Sequence, residues 1–338
     1  MMKMSLKTCK SSKEDLQVFF ARKIRCFWRL SQSRRLPLLQ VVSNNKSFSV
    51  RVQSPTEINA PRGCAVILRR ICQLSLTRIT HQVSRAFDLN DGKETTLKKI
   101  YVVGIGPGAY EQMTIRAAKA LESCEVIIGY TVYVDLVREH FAGKEFLTTP
   151  MKQEVERCRM AFETASAGKT TAMICSGDAG VYGMSGLMLE IGEEYPEVEV
   201  ECVPGVTAAI GGASVLGAPL IHDFAVISLS DLLTPWEKIE KRLLAAAGAD
   251  FVICLYNPSS KKRYDYLQKA CDLILKYQPG SLVCATVSNI GREGEQKQIY
   301  TLGELRNAKV DMFTTVFIGN SQTKEINGAM VTPRGYRI

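Results

Sequence analysis

From Ile100 onward, short β-branched runs closed by glycine alternate with segments of helical spacing, and this alternation restricts the chain to layered α/β folds. IYVVGIG, EVIIGY, TTAMICSGD, EVEVECVPG, DFVICLYNP, SLVCATVS and MFTTVFIGN read as strands. MTIRAAKALESC, VERCRMAFETASAG, TAAIGGASVLG, WEKIEKRLLAAAG and RYDYLQKACDLILKY read as the helices between them. Strands separated by helices favour largely parallel sheets, because a crossover helix returns the chain to the edge it left. A break at Gly217-Ala218-Pro219 predicts two α/β units, 98–217 and 218–338, the body of the second starting at His222-Asp223-Phe224.

Residues 1–95 differ in character. They show neither a sustained helical period nor strand alternation, and residues 1–90 carry 17 Lys and Arg against 4 Asp and Glu. Residues 91–338 carry 26 against 30, so the net charge of +9 belongs to the N-terminal segment alone. Such a segment cannot bury enough apolar surface to offset its ordering entropy, and it is expected to be a disordered basic extension. A transit peptide, a nucleic-acid-binding arm and a misassigned start are the three readings open to it; the abrupt change near Leu97 favours the last. A nucleic-acid role is disfavoured, since few aromatic residues are interleaved with the arm's charges. No apolar run reaches the ~18 residues of a membrane span.

The eleven cysteines, seven of them in the main body, fall singly, never as the C-x-x-C pairs of a zinc site, so no metal is expected. Most lie inside apolar runs, which suits small buried hydrophobes in a reducing, cytoplasmic compartment.

Three glycine-rich loops each follow a strand. Gly104-Ile105-Gly106-Pro107-Gly108 is where a backbone can approach a ligand closely, but it departs from the dinucleotide fingerprint G-x-G-x-x-G. The acidic residue that such a fingerprint requires ~20 positions on falls at Glu122 or Glu125, on or just after a helix. Ser176-Gly177-Asp178-Ala179-Gly180-Val181-Tyr182-Gly183 follows TTAMIC, and Asp178 either accepts from a ligand or caps the next helix. Val203-Pro204-Gly205-Val206-Thr207-Ala208 is again a strand-to-helix turn. Taken together, the three loops point to one shared site at the carboxyl ends of strands.

The blocks VVGIGPG, SGDAGVYGM, ECVPGVTA, APLIHDFAVISLSDLLTPW, FVICLYNPSSKKR and VTPRGY resemble the tetrapyrrole methylase family over about residues 98–338. The resemblance implies two α/β/α domains, a homodimer, and S-adenosylmethionine held in the cleft between domains. It further implies methylation of carbon 17 of precorrin-3B or cobalt-precorrin-3, with contraction of the macrocycle, in cobalamin biosynthesis. Methylation at another carbon of the corrin precursor is the alternative. Pro107, Ser176, Gly177, Asp178, Val181, Thr207, Ala208 and Tyr256 are the positions it assigns to the methyl donor, and the first loop, with Gly106 and Gly108, faces the tetrapyrrole.

A macrocycle bearing acetate and propionate groups demands cationic partners. Lys261, Arg263 and Arg334 are the candidates, with Lys152 and Arg157 as a further pair. Ring contraction needs a general acid or base. Of the three histidines, His222 beside Asp223 is the candidate, expected at the domain junction and facing the cleft.

Overall fold

The computed structural model describes residues 98–337 and, of the preceding segment, two strands. The chain divides between Thr95 and Thr96. In the first part, β1 (Leu39–Asn44) and β2 (Ser47–Val52) form an antiparallel hairpin, in register from Leu39 opposite Val52 to Asn44 opposite Ser47. Strands therefore occur where the sequence shows no sustained alternation. The rest of 1–97 lies outside the described residues, and so does the expectation of disorder there.

In the second part, five strands form a wholly parallel sheet. They are β3 (Lys98–Gly104), β4 (Val126–Tyr130), β5 (Glu145–Thr149), β6 (Thr171–Cys175) and β7 (Val198–Val203), in the order β5-β4-β6-β3-β7. The central strand β6 is buried throughout, as a continuous apolar run requires when helices cover both faces. One face packs under α1 (Ile115–Ser123) and α2 (Thr131–Arg138), the other under α3 (Glu154–Ser166) and α4 (Ser185–Ile191). Edge strand β7 carries Glu201, which holds Lys99 at 2.6 Å and Arg116 at 2.7 Å, so the exposed edge is charged. Helix α2, strand β5 and helix α4 occupy stretches that periodicity leaves unassigned.

A second five-stranded sheet has the order β12-β11-β13-β10-β9. It contains β9 (Phe224–Ser228), β10 (Val252–Tyr256), β11 (Val283–Ser288), β12 (Gln296–Thr301) and β13 (Thr314–Ile318). Here the expectation of a largely parallel sheet fails. Of the neighbouring pairs only β9 with β10 is parallel, while β13 runs against both β10 and β11, and β12 against β11. The connections explain it: residues 302–313, with the short helix α8 (Leu302–Leu305), bring β13 back in the direction of β12, so the reversal is set between β11 and β12, which only the short turn 289–295 joins. A parallel crossover needs about a dozen residues or more.

Helices α6 (Trp236–Gly248), α7 (Tyr266–Ile274) and α8 cover one face of this sheet, and α5 (Ala208–Leu216) covers the other. Helix α5 thus leaves the last strand of the first sheet and packs on the second, against Phe317 and Ile290. A three-stranded sheet follows it: β8 (Gly217–Ala218) pairs in parallel with β15 (Ala329–Val331), which pairs antiparallel with β14 (Lys324–Ile326). Each fully buried aliphatic or aromatic side chain in these cores contributes roughly 1.5–3 kcal/mol. Six of the seven described cysteines are buried among them, and burial pushes the thiols of Cys124, Cys175, Cys254 and Cys271 up to about 12. Cys202 is the exposed exception. Among the described residues no helix is long and apolar enough to cross a membrane.

Candidate functional site

The three glycine loops leave three neighbouring strands, β6, β3 and β7, and so converge at one carboxyl edge of the first sheet. Gly106 and Gly177 exchange both backbone hydrogen bonds, at 3.1 and 2.7 Å, in an isolated antiparallel bridge. Both have positive φ, +80° and +69°, which glycine adopts without steric cost. Behind the bridge, a Cβ on Gly104 would stand 2.7 Å from both Gly177 O and Gly205 N, so backbone there packs on backbone. Asp178 locks the arrangement: Oδ1 accepts from Gly180 N at 2.7 Å and Oδ2 from Gly205 N at 2.9 Å. The Asp178 carboxylate therefore organises the second and third loops, a role beyond the ligand contact and helix cap weighed for it. Thr114 ties in the following helix, accepting from Ala117 N as the cap of α1 while donating to Pro204 O.

Dinucleotide binding at the first loop is not supported by this geometry. The chain after Gly108 passes through a 3₁₀ turn, Tyr110–Gln112, before α1 begins, so the loop does not open directly into a helix that could receive a pyrophosphate.

Two tyrosines join the two five-stranded sheets. The Tyr256 hydroxyl lies 2.6 Å from Thr207 Oγ1 and accepts from Ala209 N–H at 2.6 Å. Thr207, the N-cap of α5, makes no side-chain cap of its own, and Tyr256 supplies one from the other sheet. Burial holds the Tyr256 phenol above its ordinary pKa despite these two bonds. Tyr182, with φ +54°, donates to Val226 O and accepts from Ser228 N, which engages the edge strand β9 much as a neighbouring strand would. The two rings lie 5.6 Å apart.

Thus Gly106, Pro107, Ser176, Gly177, Asp178, Thr207, Ala208 and Tyr256 are brought together. Val181 is half-buried on the same loop, its amide on Asp178 O. Gly108 meets the turn between β11 and β12, where a Cβ would stand 2.5 Å from Gly291 O.

His222 and Asp223 are not brought to these loops. They precede β9, about 13 Å of extended chain upstream of Val226, and His222 Nε2 bonds to Pro333 O at 2.9 Å. Arg334 lies with them, on Ile221 O. Placement beyond the amino end of β9 follows from the strand's direction, since its carboxyl end is the one that meets Tyr182. Arg263 already has partners, Ser230 Oγ at 2.8 Å and Asp231 at 3.5 Å, while Lys261 is exposed. Arg157 is buried and donates to Thr149 Oγ1 and Pro150 O.

Nothing in the sequence singles out Arg292 as a site residue. Its Nε donates to Pro107 O and its Nη2 to Ser176 Oγ, both at 3.0 Å, so it clamps the first and second loops from the turn between β11 and β12. Within NIGREGE nothing but the neighbouring glycine marks it, and its partners lie 185 and 116 residues away.

Residues 99–306 match the family model of the Tetrapyrrole (Corrin/Porphyrin) Methylases. A probable cobalt-factor III C(17)-methyltransferase of Salmonella typhimurium is 48% identical over 238 residues, which cover 70% of this chain and 99% of the relative. A precorrin-3B C(17)-methyltransferase of Sinorhizobium sp is 37% identical over 246 residues, 70% of this chain and 96% of the relative. The crystal structure of the methyltransferase CobJ superposes with a TM-score of 0.65 at 32% identity, covering 69% of this chain and 99% of that one. The convergent glycine loops thus sit in a fold and a sequence of known kind, the kind that the sequence blocks resemble: the chain belongs to the tetrapyrrole (corrin/porphyrin) methylase family.

Proposed function

We propose that this protein transfers a methyl group from S-adenosylmethionine to carbon 17 of a corrin precursor, precorrin-3B or its cobalt form, with ring contraction, in cobalamin biosynthesis. One observation carries this: the stretch matched at 48% identity is nearly the whole of the Salmonella relative, and its counterpart here contains the three joined loops and the tyrosines that roof them. The higher identity to a cobalt-factor III relative than to a precorrin-3B relative, 48% against 37%, favours the cobalt form.

The residues present suit such a donor. A Cβ at Gly177 would meet Thr207 Cα at 3.6 Å and Ala208 N at 3.7 Å, so the bare backbone of the second loop faces the N-terminus of α5 with room for one small group between them. Ser176, Gly177, Val181, Thr207, Ala208 and Tyr256 are the residues that would hold it, with Pro107 opposite and Asp178 keeping the loops in place. S-adenosylmethionine, when bound, supplies a methyl group on a leaving group good enough that no protein nucleophile is needed. The loops' task is alignment, and the backbone bridge between Gly106 and Gly177 makes them stiff enough for it. Tyr182 and Tyr256 tie the second sheet to the loops, Tyr182 through Val226 and Ser228 and Tyr256 through Thr207 and Ala209. Proton movement during contraction falls to groups near the loops; the phenol of Tyr133, which burial holds above its ordinary pKa, remains a neutral donor there.

The test is incubation with methyl-labelled S-adenosylmethionine and the trimethylated precursor, with and without cobalt, followed by mass analysis. A product one methyl heavier, labelled at carbon 17, is expected. No label in the macrocycle under either condition would overturn the proposal.

A further inference from the structure

Arg292 is a half-buried cation with no carboxylate within 4 Å among the described residues. The exposed or half-exposed arginines Arg116, Arg159, Arg263 and Arg306 each hold an acidic side chain. Arg292 instead spends Nε and Nη2 on the neutral oxygens of Pro107 and Ser176, and Nη1 makes no hydrogen bond to a described residue. Its guanidinium lies 5.6 Å from the Phe313 ring. Burying a guanidinium without a counter-charge is costly, and residues 91–338 hold more acidic groups than basic ones. An arginine left unpaired in such surroundings suits an anion that arrives with a ligand.

A second feature points the same way. Arg157, also without an acidic partner, is buried at the carboxyl edge of the same sheet, and its field and that of Arg292 both act on the phenol of Tyr133. Tyr133 makes no hydrogen bond to a described residue. An unpaired arginine and an unengaged phenol thus lie at the end of the first sheet, beside the loops.

We propose that Arg292 receives a carboxylate of the bound ligand, an acetate or propionate arm of the macrocycle, and so positions the tetrapyrrole against the first loop. This rests on the methylase reading above. The geometry fits the chemistry: a guanidinium anchored through Nε and Nη2 presents Nη1 in a fixed direction, and carboxylates are the anions that a planar fork recognises. The glycine at position 108 is part of the device, because a Cβ there would stand 2.5 Å from Arg292 Cγ and keep the turn from closing on the loop. A methyl donor also carries a carboxylate, so the experiment separates the two sources.

Full-length wild type, Arg292→Gln, Arg292→Lys and Tyr133→Phe are compared in three measurements: KM and kcat for the tetrapyrrole, binding of S-adenosylhomocysteine by calorimetry, and thermal melting. Arg292→Gln is expected to raise the tetrapyrrole KM by about 10- to 100-fold, the loss typical of one charge-assisted bond. Arg292→Lys should recover part of it and Tyr133→Phe raise it less, while any loss of S-adenosylhomocysteine affinity through the released Pro107 and Ser176 stays several-fold smaller than the rise in tetrapyrrole KM. An unchanged tetrapyrrole KM in Arg292→Gln overturns the proposal. So does a loss confined to S-adenosylhomocysteine, which would give the carboxylate to the donor. Equal losses in the glutamine and lysine variants, with a lowered melting temperature, would make Arg292 a structural clamp only and overturn it too. Wild type inert toward the tetrapyrrole would instead sink the methylase reading, and this inference with it.

Discussion

Replacing Tyr256 by phenylalanine deletes one oxygen and, with it, the bond donated by Ala209 N–H and the bond shared with Thr207, both 2.6 Å long. The ring stays, so no cavity opens and the cost is polar. Ala209 is fully buried, and a buried amide left without an acceptor costs about 1–3 kcal/mol. Loss of the Thr207 bond adds roughly 0.5–1.5 kcal/mol. Part is recovered, because the freed Thr207 hydroxyl stands at the N-cap of α5 and can rotate onto the same amide, a cap typically worth about 1 kcal/mol. The net is about 2 kcal/mol, which for a unit of this size lowers the melting temperature by roughly 4–8 °C. Circular-dichroism melts of Tyr256→Phe, Thr207→Val and the double variant measure it. The two changes should be less than additive, with a coupling of about 1 kcal/mol. A Tyr256→Phe protein melting within about 1 °C of wild type, or strict additivity in the double variant, would refute the trans-cap.

Asp178→Asn keeps the shape but turns an N–H toward a backbone N–H that Asp178 now accepts from; a loss of about 1–3 kcal/mol is expected, and an unchanged melting temperature would show that the carboxylate does not hold the loops. His222→Ala, remote from the loops, should keep turnover within about twofold of wild type, whereas accumulation of an uncontracted product would return the histidine to catalysis. The Glu201 carboxyl is held below its usual range by Lys99 first and Arg116 second. Its stabilisation is therefore present above the unfolded pKa of about 4.3 and is lost as pH falls through the lower folded value. Glu201→Gln should accordingly lose stability less steeply than wild type between about pH 5 and 3, and parallel acid limbs would remove Glu201 from the account. Residues Thr96–Ile338 produced alone should melt and methylate as the full chain does, because the family match begins at Lys99; an insoluble or inactive product would show that the first 95 residues are needed.

Much of the second part was legible in the sequence, because period-2 and period-3.6 patterns are local properties. Every strand and helix read from them is present, and the three glycine turns were found as candidate site loops. The segments between those runs fared differently: α4 has only seven residues, and β5 is a half-exposed edge strand without a sustained apolar run. Connection length, which separates a parallel crossover from an antiparallel hairpin, was also visible at the turn between β11 and β12. Its consequence, the mixed second sheet, emerges only once the strands are paired.

What the sequence by itself determined is the layered α/β architecture, the glycine turns at strand ends and the family. These depend on neighbours along the chain and on motifs that survive without coordinates. Only the tertiary structure decided that β6, β3 and β7 lie side by side, which makes one site of three turns spread over a hundred residues. It also decided that Tyr256 caps a helix 47 residues away, that Arg292 reaches Pro107 across 185, and that His222 stands beyond the wrong end of β9. Strand order and strand direction are set by packing among distant segments. A residue's spacing from its neighbours therefore carries no record of which end of the sheet it will face.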